Sequence, residues 1–268
     1  MDQPHFPPVR AAFFDMDGLL INSEDIYAAV RNKVLVENGY DGEIPWTLVA
    51  KMQSRPGDQA PVLDFSGIPL SIEQYKSRQL ELHQEHFPKT EPLPGVEPLL
   101  HTLKNRVASP PFLALVSSSQ PEGFKVKTTH LSPLFEHFPP HLRVLGRDPR
   151  IQAARGKPAP DVYLLALNLI NESVPGPKIT PDECVVFEDS IAGVQAGYAA
   201  GMRIVWVPHA KLREIYRGHE EEIPSTSNAE DGTLTIPRAL ADGQIEILNS
   251  LEEFDYRRYG LDVTPRPA

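Results

Sequence analysis

Strand-like runs alternate with helix-like runs along most of this chain. The clearest strands fall at 9–14, 112–116, 142–145, 185–187 and 203–207, each short, apolar and rich in valine and phenylalanine. A strand buried on both faces of a sheet reads as a continuous apolar run of this kind. The segments 97–105, 161–170 and 193–200 carry helical patterning. Such alternation predicts an α/β fold, a Rossmann-like core around a mostly parallel sheet.

The pattern changes between about residue 24 and residue 91. Residues 24–38 and 71–86 read as amphipathic helices with few strand signals between them, and Ser71 is well placed to cap the second. The stretch "TEPLPG" at 90–95 reads as a return link. The expected organisation is a core made of residues 1–22 and 92–268, with an α-helical cap at 23–91. In open α/β sheets, ligands bind outside the carboxyl ends of the strands, so a cap inserted after the first strand would sit over that edge. Residues 218–240 are polar and irregular, and predict a mobile loop or insertion. The chain recovers an apolar run at 245–248, with a last helix expected near 250–256.

Composition narrows the function classes. The chain has 268 residues, 41% hydrophobic and 23% charged, which is ordinary for a globular protein with a large core. A net charge of -10 argues against a nucleic-acid partner. No apolar run reaches the roughly 18 residues of a membrane span, and the first residues do not read as a signal peptide. Cys184 is the only cysteine, so no intramolecular disulfide is possible; it is expected to be a small buried hydrophobe. These features point to a cytoplasmic monomer that meets a small molecule.

Polar groups recur just after the strands. Asp15 and Asp17 follow the first, in "FFDMDGLL"; Ser117, Ser118 and Ser119 follow the second; Glu188 and Asp189 follow 185–187. Lys157 lies in "GKPAPDVY", before a helix that Pro158 could start. Parallel neighbouring strands would bring all of these to one edge. Several carboxylates together require a hard cation such as Mg2+, and a lysine with hydroxyls beside it would bind a phosphate. Asp15 can then attack phosphorus, with Mg2+ and Lys157 cancelling the repulsion between carboxylate and phosphate. Asp17 can protonate the leaving oxygen and later take a proton from water. A spacing of two along a strand would put both carboxylates on one face, with Gly18 turning the chain away.

Asp15-x-Asp17-Gly18, Ser117 after a strand, Lys157, and Glu188-Asp189 occur in an order that resembles the haloacid dehalogenase superfamily of phosphatases. The resemblance implies Asp15 as nucleophile and Asp17 as acid and base. It implies Mg2+ on Asp15, the Asp17 carbonyl and Asp189, with Glu188 ligating or just behind. Ser117 and Lys157, with Ser118, would hold the phosphoryl oxygens. The stretches "FKVKTTHL", "GRDPRIQAARGKPAPDVYLLAL" and "CVVFEDSIAGVQAGYAAGMRIVWVP" look like the eukaryotic pseudouridine 5′-monophosphate phosphatases and their glycerol-3-phosphatase-like relatives. The 218–240 stretch departs from that pattern, and so does Gln53, where the family often has glycine.

In the cap, Arg55 and Gln53 are the candidate substrate contacts, Arg55 standing otherwise as a solvated cation. Asn22 and Ser23 are expected to cap the first cap helix without a chemical role, and His83 and His86 to lie on a solvated face. Sugar phosphomutases of the superfamily carry a histidine where this chain has Tyr27, which argues against a mutase. Asp17 argues against a dehalogenase, since a halide needs no proton. A non-catalytic binding protein would be expected to lack one of Asp15, Asp17, Lys157 or Asp189, and all are present.

Overall fold

The computed structural model describes residues 6–53, 59–218 and 236–264. Its centre is the strand β1 (Ala11–Phe14), flanked by β2 (Phe112–Val116) and β4 (Cys184–Glu188). The short β3 (Arg143–Val144) pairs with β2, β5 (Arg203–Trp206) with β4, and β6 (Ile245–Ile247) with β5. All pairs are parallel, in the order β3-β2-β1-β4-β5-β6.

Side chains alternate between the faces of a strand. Ala11 and Phe13 of β1 therefore join one apolar cluster, with Ala114, Val116 and Val186, while Ala12 and Phe14 join another, with Leu113, Leu115 and Phe187. Helices α8 (Asp161–Ser173) and α9 (Ile191–Ala199) cover the first face; α5 (Val96–Asn105) covers the second. With both faces covered, neither can be polar, which is why the strands read as unbroken apolar runs. Phe14 and Phe187 stack with ring centroids 4.5 Å apart. Cys184 is fully buried at the start of β4.

Between β1 and α5 lie the helices α1 (Ser23–Glu37), α2 (Trp46–Gln53), α3 (Ala60–Ser66) and α4 (Ile72–His86). They enclose an apolar cluster of their own, including Val30, Val34, Val62, Tyr75 and Leu82. Ser71 caps α4 through a reciprocal pair of bonds with Gln74. α2 and α3 lie where the sequence shows few signals, because helices this short carry little periodicity. The two chain segments joining these helices to the sheet run side by side: Asn22 N–H donates to Glu91 O at 3.0 Å, and Leu93 N–H to Leu20 O at 3.1 Å. Asn22 does not cap α1; its side-chain oxygen accepts from Glu91 N–H at 2.9 Å. From the sheet side, His209 stacks on Trp46 at 4.1 Å and places its Nε2 3.1 Å from Asp25 Oδ1.

Other differences from the sequence reading are local. Helices α6 (Pro121–Thr128) and α7 (Ser132–Phe135) follow β2, and α10 (Ala210–Tyr216) follows β5. α8 begins at Asp161, not at Pro158. The helix expected near 250–256 is two 3-10 turns, Leu251–Glu253 and Tyr256–Tyr259, with Ser250 and Asp255 accepting from the backbone at their starts. Residues 219–235 lie outside the described residues; the end of the 218–240 stretch enters α11 (Ile236–Ala241). No helix among the described residues is long and apolar enough to cross a membrane.

Candidate active site

Asp15 follows β1 directly, and its N–H donates to Phe187 O at 3.0 Å, so the first carboxylate is tied to the neighbouring strand end. Lys157 reaches it from the loop before α8. The ammonium donates to Asp15 Oδ1 at 2.5 Å and to Val116 O at 2.8 Å, and lies 2.6 Å from Glu188 Oε1. All three side chains are buried. Burial disfavours the charged form of Lys157, but Asp15 and Glu188 outweigh it and hold the ammonium charged. Burial pushes the Asp15 carboxyl up to about 8 despite Lys157, because Glu188 and Asp17 add negative charge nearby.

Glu188 is held on every side. Its Oε1 accepts from the Tyr163 hydroxyl at 2.6 Å, and its Oε2 from Asp189 N–H and Ser190 N–H at 3.2 Å and the Ser190 hydroxyl at 3.1 Å. The carboxylate lies so close to α9 that a Cβ on Gly193 would sit 1.8 Å from Oε1. Only glycine fits there. Glu188 therefore orients Lys157 and the start of α9, with both oxygens engaged. Asp189 is fixed by the Trp206 indole, which donates to its carbonyl at 2.8 Å. Its side chain reaches the loop after β1, where a Cβ on Gly18 would meet Asp189 Oδ2 at 2.3 Å; Gly18 also has φ +80°.

β1 ends at Phe14, so strand alternation does not set the directions of Asp15 and Asp17. Asp17 meets a second lysine, Lys127 of α6. The Lys127 ammonium pairs with Asp17 Oδ1 and donates to the Tyr27 hydroxyl and to Ser119 Oγ, both at 2.8 Å. Ser23 Oγ donates to Asp17 Oδ1 at 2.7 Å, and Ser119 Oγ to Oδ2 at 2.6 Å. Burial raises the proton affinity of Asp17, but Lys127 and these hydroxyls outweigh it and bring the carboxyl below its usual range. Ser23 thus touches Asp17, contrary to its expected role as a cap alone.

Ser117 is buried beside this group, its hydroxyl 3.5 Å from Asp17 Oδ2 and accepting from Ser119 N–H at 3.0 Å. Ser118 is exposed; it is Ser119 that meets Asp17. Gln53 is the last residue of α2, and Arg55 lies outside the described residues. His83 is not on a solvated face: it stacks on Phe87 at 4.5 Å and meets Tyr27 edge-on at 5.1 Å. Sequence reading missed Lys127. "FKVKTTHL" offers Lys125 and Lys127 alike, and only packing tells them apart: Lys125 is exposed and Lys127 buried.

Asp15, Glu188 and Asp189 can bring carboxylate oxygens within 4.8 Å of one another. Burial together with Asp15 and Glu188 holds the Asp189 carboxyl well above the carboxylate range. Ionised together, three buried carboxylates would outnumber the single Lys157 ammonium, which is why Asp15 and Asp189 are raised, and their hard oxygen donors fit a divalent cation of the Mg2+ type.

Residues 9–201 match the model of the haloacid dehalogenase-like hydrolases. The chain is similar to the "Probable pseudouridine-5'-phosphatase" of Saccharomyces cerevisiae, 38% identical over 96% of this chain and 99% of the relative. It is also similar to "(DL)-glycerol-3-phosphatase 1, mitochondrial" of Arabidopsis thaliana, 35% identical over 78% of this chain and 67% of the relative. Among solved structures, it resembles a conserved haloacid dehalogenase-like protein of Agrobacterium tumefaciens with TM-score 0.63 and 22% identity, covering 91% and 95% of the two chains. The matched residues include the sheet centre and the lysine–carboxylate pairs at its edge, and the chain belongs to the haloacid dehalogenase-like hydrolase family.

Proposed function

We propose that this chain is a Mg2+-dependent phosphomonoesterase acting on a small phosphorylated metabolite through an aspartyl-phosphate on Asp15. One observation carries the reading: the Lys157 ammonium lies between Asp15 and Glu188, with Asp189 in reach, at the carboxyl edge of the sheet. An Asp15 oxygen attacks phosphorus and the ester P–O bond breaks. Asp17, ionised beside Lys127 in the free protein, must first take up a proton, which it then gives to the leaving oxygen. Water then attacks the phosphoryl group on Asp15 and passes a proton to Asp17, which releases phosphate and restores both groups. Lys157 and Ser117 hold the phosphoryl oxygens. Asp15, the Asp17 carbonyl and Asp189 would hold Mg2+, with Glu188 behind them. When bound, the ion would offset the negative charge of phosphate and nucleophile.

Helices α1–α4 serve in this reading as the cap, residues 23–91, over a core of 1–22 and 92–268, in a cytoplasmic monomer. The cap excludes water and reads the organic part of the substrate, with Gln53 and Arg55 as its contacts. Pseudouridine 5′-phosphate is the first candidate substrate, supported by the 38% identical relative of that name. Glycerol 3-phosphate is the second, supported by the Arabidopsis relative. A mutase is disfavoured: Tyr27 stands where a histidine would act, burial pushes its hydroxyl up to about 12, and that hydroxyl accepts from Lys127. Phosphate release over a panel of phosphate esters, ranked by kcat/KM with and without Mg2+, tests the reading. Turnover of no ester in the panel overturns it.

A further inference from the structure

The groups of the site are covered in this arrangement: Asp15 is 6% exposed, Lys157 8% and Asp189 2%. A phosphate ester reaches groups this buried when α1–α4 part from the sheet, as a lid does over an enclosed site. Those helices are tied to the sheet where the segments at Asn22 and Glu91 run side by side. Away from that tie they are held by contacts alone. One such contact involves none of the catalytic groups and lies where α2 packs against α9 and α10.

Its centre is His209, at the start of α10. His209 Nδ1 accepts from Lys211 N–H at 3.3 Å, so Nε2 is the nitrogen that carries a hydrogen, and it donates to Asp25 Oδ1 of α1 at 3.1 Å. The ring lies flat on Trp46 of α2, with centroids 4.1 Å apart and planes 8° apart. One histidine on the sheet side thus grips two helices of the cap. Trp46 packs against the apolar cluster of the sheet face and also against the cluster inside the four helices, so it closes the seam between the two cores. We propose that His209, Trp46 and Asp25 form a latch that holds α1–α4 down over the site and sets how often the site opens. A stacked ring pair and a half-exposed hydrogen-bonded pair together shift such an equilibrium about tenfold, enough to favour the closed arrangement and still let it part.

Lys127 reports the opening. It is 1% exposed, with Asp17 and Ser119 on the sheet side and the Tyr27 and Phe87 rings on the cap side. Lys125, two residues away, is exposed. An amine reagent therefore reaches Lys125 at all times and Lys127 when the cap parts. Cys184, fully buried at the start of β4, is reached when the sheet itself unfolds.

The test is a short pulse of acetic anhydride on the Mg2+-loaded full chain, with labelled peptides quantified by mass spectrometry, and a parallel pulse of iodoacetamide for Cys184. His209→Ser removes the ring and keeps an oxygen that can accept at the start of α10. It should raise the labelling rate of Lys127 about tenfold over wild type, and Asp25→Ala about threefold, with Lys125 and Cys184 unchanged. An unchanged Lys127 rate in His209→Ser overturns the latch. So does a joint rise of Lys127 and Cys184, which marks general loosening of the fold. Wild-type Lys127 reacting as fast as Lys125 overturns it too, because no closed arrangement is then held. The labelling uses no substrate, so its outcome is independent of the reaction proposed above.

Discussion

Asp15 and Asp17 are two residues apart, yet each is paired with a different buried lysine: Lys157 holds Asp15, and Lys127 holds Asp17. The two environments push the carboxyls apart. Asp15, with Glu188 and Asp17 near it, is raised by burial; Asp17, with one ammonium and several hydroxyls to itself, is lowered. In the free protein this leaves Asp17 ionised and Asp15 protonated near neutral pH, so each must change its protonation before it fills the role proposed for it. The raised acid is the one that needs added positive charge before it can serve as a nucleophile.

Lys157 is the protein's own share of that charge. Lys157→Met should lower kcat on p-nitrophenyl phosphate by about 1,000-fold, comparable to removal of a transition-state charge contact. It should also destabilise the fold by about 3 kcal/mol, because Asp15 and Glu188 are left buried without an ammonium. Urea unfolding and steady-state assays measure the two effects; wild-type turnover would contradict the assigned role.

Gly193 tests the setting of Glu188. A methyl group at that position collides with the carboxylate that Lys157, Tyr163 and Ser190 hold. Gly193→Ala should cost about 2 kcal/mol in stability, as overpacked sites do, although alanine is the better helix former. Activity should fall with it, since Lys157 loses its second partner. A stabilised, fully active Gly193→Ala chain would show that Glu188 is free to move.

Divalent-ion binding can be read without any substrate. Mg2+ at about 100 times its dissociation constant should stabilise the wild-type chain by about 2.7 kcal/mol, and EDTA should remove that gain. Asp189→Asn should lose most of the Mg2+-dependent shift in thermal midpoint while remaining folded. An equal Mg2+ shift in that variant would place the ion elsewhere.

His83 makes stability depend on pH. Burial, with Lys127, Arg31 and His86 nearby, lowers its pKa from 6.5 to about 4. The unfolded chain then takes up the proton before the folded one does. The stability this histidine contributes is therefore complete above about pH 6.5 and is lost as the pH falls toward 4. The unfolding free energy of wild type should fall relative to that of His83→Phe as the pH is lowered across that window. A difference independent of pH contradicts the assignment.

Much of this arrangement could be read before any coordinates. Strands buried on both faces are written as continuous apolar runs, and Asp15, Ser117 and Glu188-Asp189 come directly at or after their ends, so chain position and spatial position coincide. Lys127 was not legible, because it acts from the exit of a helix across a gap that no spacing rule spans. His83 departs from the expected solvated face for a related reason: its partner Phe87 is local, but Tyr27 reaches it from another helix. Asn22 shows how a plausible cap can serve elsewhere, its side chain holding the returning segment at Glu91. The final helix failed because Ser250 and Asp255 each start a turn too short to propagate.

The covalent step proposed for Asp15 is the central claim. Mg2+-loaded wild-type protein, mixed with p-nitrophenyl phosphate and quenched in acid during turnover, should yield a phosphorylated peptide containing Asp15, found by mass spectrometry. Asp15→Asn should yield no such adduct and release no phosphate. A phosphoryl group on another residue, or wild-type turnover by Asp15→Asn, would contradict it.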